Sequence, residues 1–111
     1  MAHYIVTAKP ESEKMAELKK RLKSGEVSKM GPFGESLHYS LENARLQPDG
    51  TAIWEEEDYC RPPLAQERAA VLDDYFSALQ VERVEEGDGW QRIDTLPEMF
   101  ATLLAKKGGR P

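Results

Sequence analysis

The chain has 111 residues, the size of one ordinary domain. Acidic side chains outnumber basic ones by 20 to 15, and the net charge of -5 weighs against nucleic-acid phosphates and anionic membrane surfaces as partners. A single cysteine, Cys60, excludes an intramolecular disulfide, and with no apolar run of about 18 residues no membrane-spanning helix is expected.

The first strand, Tyr4 to Lys9, is β-branched or aromatic at nearly every position, as suits a central strand covered on both faces. Ser12 to Lys23 follows as an amphipathic helix. Met15, Leu18 and Leu22 form its buried stripe, Glu11 and Glu13 sit at its positive end, and Ser24-Gly25 stops it. Lys19, Lys20, Arg21 and Lys23 spread around that helix and read as a solvated face. Residues 26–36 read as a loop anchored by Phe33, because Gly31, Pro32 and Gly34 break regular structure. Leu37 to Leu46 alternates apolar and polar residues like a strand. Gln47-Pro48-Asp49-Gly50 has strong turn chemistry, and Thr51 to Tyr59 completes a hairpin.

Cys60-Arg61-Pro62-Pro63 is a rigid connector. A second helix spans Leu64 to Leu79, with Leu64, Arg68, Val71, Leu72, Tyr75, Phe76 and Leu79 on one side. Gln80 to Glu85 reads as a fourth strand and Glu86 to Gly89 as a turn. Trp90 to Ile93 reads as a fifth strand. Thr95-Leu96-Pro97-Glu98 resembles a capping box before a short helix carrying Met99, Phe100, Leu103 and Leu104. The expectation is one α+β domain over residues 1–105, with a frayed tail from Lys106 to Pro111. Its core is a ferredoxin-like βαββαβ sandwich with an antiparallel sheet, plus a C-terminal strand and short helix.

No motif specifies a reaction, so catalytic residues stay unassigned. The acids Glu55, Glu56, Glu57 and Asp58 alternate between strand faces, so only Glu55 with Glu57, or Glu56 with Asp58, can act together. No second ligand-rich segment accompanies them, and neither metal nor cofactor is expected. Acids on both faces imply a strand end that projects past the core as an acidic rim. With Glu85, Glu86 and Asp88 it suits a cationic partner. Cys60 has Arg61 beside it, but the neighbouring acids oppose a thiolate and only His3 and His38 offer a base. His38, Tyr39, Trp54, Tyr59 and Cys60 are the candidates for a pocket holding a small aromatic or acyl ligand, with His38 as proton shuttle. Gly31-Pro32-Phe33-Gly34 lacks the spacing of a phosphate-binding loop, and the acids disfavour RNA on the sheet.

Across residues 3–85 the element order resembles the dimeric α+β barrel group, small ferredoxin-like proteins that pair two sheets into a closed barrel. Many of these are cofactor-free monooxygenases or degradative enzymes. The resemblance lies in element order alone and implies a homodimer. The favoured expectation is a non-catalytic homodimeric interaction or structural module, cytoplasmic because Met1-Ala2-His3-Tyr4 starts no secretory signal. Trp54, Trp90, Met99 and Phe100 are its candidate interface residues. The alternative is a small-molecule-binding protein, or a cofactor-free enzyme of the barrel type, with a pocket between sheet and helices.

Overall fold

The computed structural model describes residues 2–108, as an α+β fold with a four-stranded antiparallel sheet and five helices. Strand β1 (Ala2–Pro10) leads through a 3-10 turn (Ser12–Lys14) into α1 (Met15–Ser24). Next come α2 (Gly34–Glu42), β2 (Arg45–Leu46) and β3 (Ala52–Asp58). Helix α3 is assembled from Ala65–Glu67, a π-helical stretch Arg68–Leu72, and Asp73–Tyr75. Strand β4 (Phe76–Val84), α4 (Asp88–Ile93) and α5 (Met99–Gly108) complete the chain.

The sheet order is β2-β3-β1-β4. Pairing of Val6 with Trp54 and of Ala8 with Ala52 places these four residues on one face. There they join Met15, Leu18 and Leu22 of α1 and Val71, Leu72 and Tyr75 of α3 in the main core. The opposite face is thinner. Ile5, Ile53 and Val84 are covered by Ile93 of α4, with Trp90 packed alongside. Helix α1 ends where expected, because Gly25 takes the left-handed conformation (φ 85°) and its N–H returns to the Leu22 carbonyl at 3.2 Å. The turn before β3 also forms as its residues dictate: Gly50 N–H bonds the Gln47 carbonyl at 2.9 Å, and Asp49 accepts from Thr51 N–H at 3.0 Å.

Three segments differ from expectation. The segment expected as a strand from Leu37 is helix α2, and only Arg45–Leu46 is extended. Leu37 and Leu41 are four apart and meet the core on one helical face, while Tyr39, the residue between them in the strand pattern, points outward. Helix α2 lies beside β3, where the Ser40 hydroxyl donates to the Glu55 carbonyl at 2.7 Å. The second helix ends at Tyr75 rather than Leu79, and Phe76 (φ -136°, ψ 153°) is already in β4. Trp90 to Ile93 forms helix α4, not a fifth strand.

The last helix begins near its expected place and packs on its own domain. Met99 N–H bonds the Ala44 carbonyl, Leu46 N–H bonds the Pro97 carbonyl, and Met99 and Phe100 enter the main core. It runs to Gly108, past Lys106, and the remainder of the expected tail lies outside the described residues. Among the described residues no helix is long and apolar enough to cross a membrane.

Candidate functional site

The end of β3 meets the N-terminal half of α2 and the start of α3 around a groove of about 530 Å³. Phe33, Glu35 and Tyr39 form one wall. Glu57, Asp58, Tyr59 and Cys60 form the floor and rim, and Gln66 and Glu67 close the other side. Tyr39 and Tyr59 are 59% and 71% exposed, so both rings are open to an incoming molecule. The Tyr39 ring is held edge-on against Trp90, with centroids 5.9 Å apart. Among the described residues no Lys or Arg lines this groove.

Asp58 organises the polar wall. Its Oδ2 accepts from Leu64 N–H at 2.6 Å and from Cys60 N–H at 3.0 Å. These two bonds fold the proline-rich connector back on the strand end. Leu64 adopts a left-handed conformation (φ 66°) that a branched side chain rarely takes. From that bend α3 starts with Glu67 turned toward Asp58, fully buried. Cys60 Sγ lies 4.0 Å from Glu67 Oε1. Glu56, one pleat back on the same sheet face, receives the Trp54 indole N–H at 3.0 Å on Oε1. The second oxygens of Glu56 and of Glu67 are buried and receive no hydrogen bond from any donor. A buried acceptor left unpaired costs about 1–3 kcal/mol, so the fold carries two such costs side by side.

These surroundings reshape the acidities. Burial drives the Glu56 carboxyl well above the glutamate range, the charge of Glu67 adds to that, and the Trp54 bond opposes it. Glu67 is pushed up to about 7, first by burial and then by its hydrogen bond with Asp58. Burial acts to raise Asp58 too, but the bonds from Glu67, Leu64 and Cys60 outweigh it and the net shift is downward. The Gln66 backbone bond draws the Cys60 thiol down. Burial and the charges of Asp58 and Glu67 outweigh that bond and leave the thiol raised. Near neutral pH the pair therefore presents an ionised acceptor, Asp58, beside a carboxyl that still holds protons. The thiol is a poor nucleophile as it stands.

Of the five pocket residues picked from the sequence, the fold brings Tyr39, Tyr59 and Cys60 to this groove. Trp54 is fully buried in the core beneath it. His38 lies on α2 outside the groove walls, with Nε2 4.0 Å from Glu42 Oε2. A proton-shuttle role for His38 in this groove has no geometric support.

The acids expected as an exposed rim are mostly interior: Glu55, Glu56 and Asp58 are buried and Glu57 is half-buried. The strand does not project past the core, because α4 covers one face of its end and α3 the other. Glu55 serves α4, accepting from Gly87, Gly89 and Trp90 N–H groups at 2.8, 2.7 and 3.2 Å, with His3 Nδ1 3.5 Å away. Gly89 permits that approach, since a Cβ there would stand 2.8 Å from Glu55 Oε1.

Glu67 was missed, although its signal was present. It lies three residues after Leu64 and four before Val71, at the centre of the apolar stripe of α3. Arg68, assigned to that stripe, is exposed instead.

Comparison of the chain with protein-family models, with curated proteins and with solved structures found no match.

Proposed function

We propose that the groove beside Asp58 is a binding site for a small molecule that carries an amine, hydroxyl or carbonyl group on a compact apolar body. The observation that carries this reading is its lining. Two exposed tyrosine rings and Phe33 offer apolar and cation-attracting surface, while every charged group on the walls is acidic. Such a site repels phosphates and carboxylates. Asp58 supplies an acceptor and Glu67 a hydrogen-bonding carboxyl at the inner end.

A panel of small amines, alcohols and carboxylates, titrated while amide chemical shifts are recorded, tests the reading. Amines and alcohols should move the signals of Tyr39, Tyr59, Cys60 and Gln66, and Tyr59→Ala should weaken those shifts without altering the fold. Equal shifts from carboxylates, or no shifts at the groove, would overturn it.

A second reading is a homodimeric interaction module on a ferredoxin-like frame. The antiparallel order, with β1 between β3 and β4 and helices α1 and α3 on one face, supports that frame. The candidate interface residues Trp54, Met99 and Phe100 are buried within the single chain, and α4 roofs part of the face that barrel pairing would use. The support that remains is β4, a nine-residue edge strand with exposed residues on both faces. Sedimentation over a wide concentration range tests it. A monomer throughout would remove this reading.

A further inference from the structure

Asp58, Cys60 and Glu67 each offer one ligand atom, and all three atoms lie within 4.8 Å of one another. Proximity alone does not make a site. The second observation is the state of Glu67: its side chain is fully buried, yet once ionised its Oε2 receives no hydrogen bond from any donor. The unpartnered Oε2 of Glu56 lies on the same sheet face, close enough for the two charges to act on each other. Among the described residues no lysine or arginine lines the groove walls and none pairs with Asp58 or Glu67, although Arg61 and Arg83 line an adjoining pocket with Asp58 and Cys60. What the cluster lacks is a cation.

The dimensions fit a small one. Roughly 2.3 Å from metal to sulfur and 2.1 Å from metal to oxygen, at a tetrahedral angle, place sulfur and oxygen about 3.6 Å apart. Cys60 Sγ and Glu67 Oε1 stand at 4.0 Å, so a slight closure suffices. Both backbone N–H bonds to Asp58 use Oδ2, and they orient this carboxylate as outer-shell partners orient metal ligands. The donor set selects the metal: a thiolate with two carboxylates suits a borderline first-row ion, whereas calcium and magnesium prefer oxygen alone.

We propose that Asp58, Cys60 and Glu67 bind a divalent transition-metal ion of the zinc type, with its fourth coordination position open to the groove. Three protein ligands and one open position is the arrangement of sites that present a metal to a bound molecule rather than bury it. The proposal rests on the groove as the ligand site, since the amine, hydroxyl or carbonyl of the small molecule would take that position. Coordination requires the Cys60 thiolate and an ionised Glu67, so the thiol proton and any proton on Glu67 pass to solvent as the metal enters.

Titration of the tag-free, chelator-treated full chain with cobalt(II) tests this, because a thiolate-bound cobalt ion absorbs in the near ultraviolet through sulfur-to-metal charge transfer. One cobalt per chain should bind with that absorption, zinc should displace it, and magnesium or calcium should not. Cys60→Ser should abolish the absorption. Glu67→Gln, an isosteric change, should weaken binding by at least the roughly 10- to 100-fold that losing an outer-shell partner costs. Absence of the absorption, or affinity unchanged in both variants, would overturn the metal site. Amine and alcohol shifts at Tyr39 and Tyr59 in metal-free protein would then still uphold the groove. Cobalt binding with no small-molecule shifts, with or without metal, would uphold the metal and remove the small-molecule reading.

Discussion

On one face of β3, Glu55 gives up water and gains three backbone N–H groups from the start of α4. On the other face, Glu56 and Glu67 give up water and each keeps an oxygen that receives no hydrogen bond. The chemistry of the side chain is the same and the burial is comparable, so the difference lies in what the neighbouring helix offers. Helix α4 presents its N-terminal amides to Glu55. Helix α3 presents a second carboxyl to the other side, and two acids cannot satisfy each other fully. A buried acid that is bonded all round is part of the frame, whereas one left short of partners marks a place where the fold accepts a cost.

The largest expected effect exploits that cost. Glu67 holds its proton up to about pH 7, against 4.5 for the ordinary side chain, and Glu56 is shifted in the same direction. Below pH 4.5 both folded and unfolded chains are protonated at Glu67 and nothing is gained or lost. Between 4.5 and 7 only the folded chain keeps the proton, so stability falls as the pH rises. The loss from Glu67 alone is on the order of 3 kcal/mol by pH 8. Asp58 works the other way, and its contribution disappears as the pH falls below the ordinary aspartate range. Urea unfolding in the presence of a chelator should therefore show greater stability near pH 5 than near pH 8. A flat profile over that interval would mean Glu56 and Glu67 are not held as described.

The satisfied side of the comparison is broken by Glu55→Ala, which strands three amide donors at the start of α4. The expected cost is about 2 kcal/mol, and it should persist across the same pH interval. Gly89→Ala should act in the same direction, since the added Cβ would press on Glu55 Oε1 and on Ile5 Cγ1, each 2.8 Å away. If Glu55→Ala left thermal stability unchanged, the two faces of β3 would not differ in how their buried acids are satisfied.

The unsatisfied side is sharpened by Glu67→Gln. The amide cannot ionise, so at pH 8 the variant should be more stable than the parent by about 1 kcal/mol, and the pH slope should flatten. The same change should weaken metal binding. A substitution that stabilises the chain while removing a ligand interaction is the expected behaviour of a residue kept for function. A loss of stability at pH 8 would assign Glu67 to the frame.

The asymmetry between the faces also explains what was legible in the sequence. The Val6 strand, the Met15-Leu18-Leu22 helix and the turn at Pro48-Asp49-Gly50 are each dictated by residues near one another in the chain, and they form as expected. Helix α4 depends on Glu55, more than 30 residues earlier, as the acid at its N-terminus, and no local pattern around Trp90 announces that. The candidate site was half visible. Tyr39, Tyr59 and Cys60 were identified for their chemistry, whereas Glu67 was hidden because a charged residue in an apolar stripe invites reassignment of the stripe to its neighbour Arg68.

Helix α2 supplies the smallest and most discriminating test. Leu37 and Leu41 fit a strand and a helix equally well, and the choice is made by packing against β3, where the Ser40 hydroxyl reaches the Glu55 carbonyl at 2.7 Å. That carbonyl belongs to the residue whose side chain caps α4, so Glu55 is held from two helices at once. Ser40→Ala removes the bond from a buried position but raises the intrinsic helix preference of α2. A buried hydrogen bond contributes about 1 kcal/mol, and alanine returns up to roughly half of that. The net expectation is a loss of about 0.5 kcal/mol, read by urea unfolding, with α2 helicity retained. A gain in stability would mean that the edge of β3 is supported by packing alone, and that the satisfaction of Glu55 ends at its side chain.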